Sequence, residues 1–254
     1  MKTMLRFGAP TLHLLLIMTA PAHAGGELEV RWWASDLTST ASVDGAGFEP
    51  NLDIPTSLDL GLEADEEIEG RLLLRSRWGL FLRAAYQNVS SAGSVDVDLG
   101  VAGLPFDVTA ELASELDFEY GRLAIGVMFG KEGGPVQGGV FAEAKGVRGD
   151  VGLTASAFGV SAGLNDDFEA GVPAAGAILR VQVNRRLEIF AEASVAVETD
   201  EADVTDYEIG ARYQLTDNFG VGFGYRTLEI EGTFDDVTVD YELDGAFASA
   251  VLRW

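Results

Sequence analysis

The chain of 254 residues contains no cysteine, so neither a disulfide framework nor thiol chemistry is open to it. Histidine is almost absent. The two that occur, His13 and His23, both precede residue 25. General acid–base chemistry near neutral pH most often uses imidazole, so Ser-His-Asp and other histidine-dependent schemes are excluded for residues 25–254. Positive charge is scarce: 17 Lys and Arg stand against 41 Asp and Glu, a net charge of −24. That balance disfavours nucleic acid and other acidic partners. Past residue 24 no window approaches the ~18 consecutive apolar residues that a membrane-spanning helix needs. No Pro/Ser-rich linker divides the chain, and one domain accounts for its length.

The first 24 residues are of a different kind. Lys2 and Arg6 lead into an apolar stretch from Leu12 to Ala20, and Ala22-His23-Ala24 closes it. This is the pattern of a cleaved secretory signal peptide, with no cysteine to acylate after it. Residues 25–254 are then the mature domain. Losing two bases and no acid makes that domain more acidic still.

From residue 25 on, strict alternation of apolar and polar residues dominates, which marks strands with two unlike faces. Phe219, Val221, Phe223 and Tyr225 alternate with Gly220, Gly222, Gly224 and Arg226. Tyr207, Ile209, Ala211 and Tyr213 alternate with Glu208, Gly210 and Arg212. Thr216-Asp217-Asn218 turns one run into the other. The same unit recurs around short turns near 77–79, 131–135 and 184–186, and single strands open and close the domain. Ten strands are predicted, with eight the alternative. The strand over about 110–130 loses phase near Gly121-Arg122, which predicts a bulge. Longer connections fall at about 38–66, 90–112, 148–172, 199–204 and 231–240.

Short turns at one end and long connections at the other, with an even strand number, describe a transmembrane β-barrel. Such a barrel turns its apolar face to lipid and its polar face inward. Closure is obligatory, because lipid cannot hydrogen-bond a free strand edge. The expected fold is all-β: a single closed antiparallel transmembrane barrel with short periplasmic turns and long acidic extracellular loops. A soluble exported β-sandwich is the less favoured arrangement of the same strands. The inward set comprises Glu29, Arg31, Glu69, Arg71, Arg75, Arg83, Glu119, Glu143, Lys145, Arg180, Glu188, Glu192, Glu208, Arg212 and Arg226. Near-balanced charge in that set predicts a lumen filled by paired side chains, since an unpaired buried charge is very costly. Trp32, Tyr86, Tyr120, Phe129, Tyr213, Phe219, Tyr225 and Trp254 are candidates for interfacial girdles.

The last strand, Ala248-Ser-Ala-Val-Leu-Arg-Trp254, resembles the terminal strand of Gram-negative outer-membrane proteins. Residues 207–225 resemble the hairpins of small barrels of the OmpA/OmpW-like superfamily. The resemblance implies an outer-membrane location, contact with outer-membrane lipid and lipopolysaccharide, and an assembly signal at Trp254, Leu252 and Ala250 read by the barrel-assembly machinery. A monomer is expected. Barrels of this architecture that are enzymes rely on histidine, which residues 25–254 lack, so no enzyme and no cofactor are expected. A carboxylate-pair mechanism is formally open but disfavoured.

The expected connections are acidic. Residues 41–67 carry eight acids, among them Asp44, Asp59 and Glu67. Residues 91–117 carry six, among them Asp96, Asp98, Glu115 and Asp117. Asp203 and Asp206 belong to a fourth cluster, Glu229, Glu231 and Asp240 to a fifth. Bases collect at the short turns instead: Arg75, Arg77, Lys131, Arg185 and Arg186. The acidic rim reads either as a solvated surface or as a place where Ca²⁺ or Mg²⁺ binds through hard oxygen ligands. The function expected is a structural or surface-interaction role, with a narrow channel for small solutes or cations as the alternative.

Overall fold

The computed structural model describes residues 25–43, 52–53, 58–59, 62–64, 67–101, 108–131, 134–157, 160–197, 202–234 and 237–254. The expected signal peptide lies outside them, as do Asp44 and much of the first acidic connection. Ten strands form the wall: β1 (Gly25–Val43), β2 (Glu67–Arg75), β3 (Leu80–Val101), β4 (Val108–Phe129), β5 (Val136–Ala157), β6 (Val160–Gln182), β7 (Leu187–Ala196), β8 (Ala202–Gln214), β9 (Phe219–Phe234) and β10 (Val237–Arg253). Each pairs antiparallel with its neighbours in sequence, and β1 closes on β10 from Glu27↔Arg253 to Val43↔Val237. Three short pieces, Leu52–Asp53, Leu58–Asp59 and Leu62–Ala64, pair onto the upper parts of β3 and β1.

The four short turns fall where the polar residues break the alternation. Gly79 (φ 83°) and Gly130 (φ 96°) take left-handed conformations at two of them, which residues with a Cβ adopt only with strain. Opposite the turns, the strands run further than the sequence suggests. Residues 90–101 and 108–112 are strand, as are 148–157 and 160–172. Much of what reads as acidic loop is therefore hairpin wall standing above the lipid zone.

Along these long strands the code of faces inverts. In the lower part of β4 the outward residues are Leu123, Ile125 and Phe129, and the inward ones Arg122, Ala124 and Gly126. In its upper part Asp117 and Glu119 face out, while Leu116, Phe118 and Tyr120 are buried inside. The β3–β4 register stays one-to-one from Leu80↔Val127 to Leu99↔Val108. The predicted bulge is absent, Glu119 faces outward, and Tyr120 is a lumen residue and no girdle member. What changed at residue 121 was the solvent, not the pleat. Below it the wall is bathed in lipid; above it the wall is an ordinary barrel, polar outside and apolar within.

The apolar exterior forms a continuous belt that includes Val30, Ile68, Leu82, Ile125, Val140, Leu179, Ile189, Ile209 and Phe223. Trp78, Phe129, Tyr213, Phe219 and Trp254 ring its turn side; Tyr86, Tyr207 and Tyr225 lie towards the other. The outward row Asn88, Glu119, Arg148 and Glu169 across β3–β6 marks its upper limit.

Candidate functional site: the sealed lumen

Lower β-strand halves alternate by two, so every second residue points into the barrel, and on most strands that set is charged. Among the described residues nine buried acids line it: Glu27, Glu29, Glu67, Glu69, Glu143, Glu188, Glu192, Asp206 and Glu208, and seven bases are equally buried: Arg31, Arg71, Arg83, Arg122, Lys145, Arg212 and Arg226. Arg180 and Arg253, at the turn end, are partly buried.

The pairs cross the lumen and do not merely follow one strand. Arg31 of β1 reaches Glu29 at 2.9 Å and Glu208 of β8 at 2.6 Å. Glu208 also takes Arg71 of β2 at 2.7 Å. Arg226 of β9 binds Asp206 at 2.8 Å and Glu69 at 3.2 Å, and donates to the Gln87 amide oxygen at 3.1 Å. Arg122 of β4 joins Glu143, Glu192 of β7 at 3.0 Å and Asp206 of β8 at 2.9 Å. Arg83 donates to Glu192, and Arg212 holds Glu29 at 2.5 Å. Lys145 stands apart: its ammonium donates to the Val204 carbonyl at 3.2 Å.

Aromatic rings support the cations. Arg31 lies 4.3 Å from the Phe247 centroid, Arg83 4.6 Å from Phe141, Arg212 4.5 Å from Phe190 and Arg226 4.7 Å from Trp33. Such contacts are worth roughly 2 kcal/mol when desolvated. Each phenylalanine in turn lies on a glycine of the adjoining strand. A Cβ on Gly224 would come within 2.5 Å of Phe247, on Gly176 within 2.2 Å of Phe141 and on Gly210 within 2.7 Å of Phe190. The alternating glycines that look redundant in the sequence leave room for these rings.

Above the charges the lumen is closed a second time. Trp33, Val89, Leu116, Phe118, Tyr120, Val147, Val172, Val204, Leu228, Ile230, Tyr241 and Leu243 belong to one buried cluster. Burial alone pushes the Tyr241 phenol up to about 12. Within the charge layer there is a void of only about 30 Å³, room for a water or two.

The structure places fourteen of the fifteen charges of the predicted inward set in the interior; Glu119 faces out. It adds Glu27, Glu67, Arg122 and Asp206. Glu67 and Asp206 read as acids of exposed connections; instead Glu67 accepts from Ser35 and Gln87, and Asp206 pairs with Arg226. The alternation Asp206, Glu208, Gly210, Arg212 was the available signal. Trp254, Leu252 and Ala250 lie on the outward face at the turn end.

A closed, ten-stranded antiparallel wall with an apolar exterior belt and a charged interior is the architecture of an outer-membrane β-barrel, and that is the class and location of this chain. No family model matches the sequence, and no curated protein does. Solved structures do resemble it in shape. The outer-membrane protease OmpT of Escherichia coli superposes with a TM-score of 0.60 at 10% identity, over 91% of this chain and 97% of that one. The translocator domain of the autotransporter NalP of Neisseria meningitidis gives 0.45 at 10% identity, over 93% and 90%. Ail of Yersinia pestis gives 0.34 at 9% identity, over 89% and 99%. At 10% identity the likeness to OmpT is one of fold.

Proposed function

We propose that this barrel is a sealed outer-membrane scaffold with a structural or surface-interaction role: its strand extensions hold an acidic surface above the lipid, and nothing passes through it. The observation that carries the reading is the double closure of the lumen, a cross-braced charge layer beneath an apolar one. Eight-stranded barrels are just filled by side chains, and aqueous channels belong to barrels of about sixteen. Ten strands filled by arginine, glutamate and aromatic side chains fall on the closed side. Contact with lipopolysaccharide runs through Ca²⁺ or Mg²⁺ that bridges its phosphates to the outward carboxylates, and Trp254, Leu252 and Ala250 serve as the assembly signal. An enzymatic role is not part of the proposal, since residues 25–254 hold neither histidine nor cysteine.

Conductance of the purified protein in planar bilayers is the test. The sealed reading expects no unitary steps at neutral pH. Reproducible open steps would establish the narrow channel instead.

A further inference from the structure

The turn end of the lumen carries chemistry that a sealed scaffold does not use. Below the charge layer the interior widens into a cavity of about 230 Å³ at the periplasmic mouth. Towards the membrane centre it meets the void of about 30 Å³, so a ligand that enters goes no further. Gly25, Gly26 and Gly134 are among the lining residues and put no side chain in the way.

Three bases line this cavity, Arg75, Arg180 and Arg253, against two acids, Glu27 and Glu188. Arg253 takes them at 2.9 and 3.2 Å. Arg212 reaches Glu27 at 2.9 Å. Arg180 is left at 3.7 and 4.0 Å, and its Nε is buried with no hydrogen-bond acceptor among the described residues. Its side chain lines both cavities. On the same wall Gln137, the cross-strand neighbour of Arg180, accepts from Arg75 at 2.9 Å. A mostly buried guanidinium whose two carboxylate partners stand at 3.7 and 4.0 Å lines an open pocket, and a planar guanidinium fork matches carboxylate and phosphate oxygens.

We infer that the periplasmic mouth is a binding pocket for the oxyanion group of a small solute, a carboxylate or a phosphate, with Arg180 as its principal ligand. Glu27 and Glu188 stand in the same cavity and repel a second negative charge, so a singly charged group fits best. The pocket differs from the sealed layers above it, and its failure would leave the conductance result untouched.

The experiment uses the full mature chain in a phosphate-free zwitterionic detergent at constant ionic strength, with sodium acetate and sodium phosphate as separate titrants. Arginine Nε–H resonances are followed by ¹⁵N NMR and affinity by calorimetry. One Nε–H signal, absent from Arg180→Gln, is expected to shift saturably with at least one titrant. Saturation by acetate alone identifies a carboxylate site, by phosphate alone a phosphate site, and by both a general oxyanion site. Arg180→Gln should weaken binding by about tenfold or more, and Arg77→Gln, at an exposed turn, should not. Should Arg180→Gln fail to fold, Arg180→Lys keeps the charge, loses the fork and should still weaken binding. A wild-type response that never saturates with either anion, or an isotherm unchanged by the Arg180 substitutions, overturns the site.

Discussion

Arg31 Nη1 lies 2.6 Å from Glu208 Oε2 across the lumen, tying β1 to β8 over 177 residues of chain. Glu208 also neutralises Arg71. Glu208→Gln therefore leaves two buried guanidinium groups short of charge and should cost about 3–5 kcal/mol, read from urea unfolding in lipid vesicles. Replacing Arg31 and Glu208 together by Met and Leu removes one charge of each sign and should recover part of that loss, because Arg71 keeps Glu69 and Glu29 keeps Arg212. A single-site loss below about 1 kcal/mol would mean that water, not Glu208, compensates the arginines.

The inversion of faces along β4 places the lipid boundary between Ile125 and Glu119. Ile125→Arg puts a cation in hydrocarbon and should cost about 2–4 kcal/mol, whereas Glu119→Arg, above the belt, should cost no more than about 1 kcal/mol. Refolding into vesicles compares the two. Equal costs would remove the boundary assigned here.

Gly210 illustrates packing that charge alone does not reveal. A methyl there would meet the Phe190 ring and the Phe223 carbonyl, at 2.7 and 2.8 Å. Gly210→Ala is expected to destabilise by about 1–3 kcal/mol and to broaden the Phe190 ring signals. Gly146, which faces open space, should accept alanine with little change. Similar effects at both positions would deny the glycine a spacing role.

Alternation made the strands, turns, closure and most of the lumen legible, because a period of two survives any choice of solvent. The solvent itself was not legible. On β4 the polar residues move from the inward to the outward face at Gly121, and without knowledge of where lipid ends that swap reads as a slipped register. The same ambiguity hid Arg122, whose inward neighbours on β4 are Phe118 and Tyr120 above and Ala124 and Gly126 below, none of them charged. Glu67 and Asp206 were misplaced by composition, since each adjoins a run of acids in the sequence. The long contacts of Arg180 depend on three-dimensional sharing of Glu27 and Glu188, which no spacing along the chain encodes.

Above the belt, like charges oppose each other directly on β9 and β10: Glu229↔Glu242 and Glu231↔Asp240. Such pairs are destabilising, and salt screens them. Glu242→Lys is expected to raise the melting temperature at low ionic strength, with the gain vanishing near 1 M NaCl. The same surface tests the cation reading of the acidic rim. Among the described residues no three acids are grouped to hold a metal ion, so any calcium effect should be diffuse: a rise in wild-type melting temperature that sodium at equal ionic strength largely reproduces. A gain for Glu242→Lys that survives high salt would point to packing and not charge.

The sealed interior itself can be tested directly because the chain has no cysteine of its own. Ser194 is 1% exposed and faces inward beside the charge layer, while Ser90 lies on the exposed outer face of β3. Single variants Ser194→Cys and Ser90→Cys, reconstituted in vesicles, are treated with a membrane-impermeant thiol reagent. A lumen closed from both ends predicts that Ser90→Cys reacts promptly and that Ser194→Cys reacts orders of magnitude more slowly unless the barrel is unfolded. Labelling of Ser194→Cys in the folded barrel at a rate close to that of Ser90→Cys would contradict the sealed lumen.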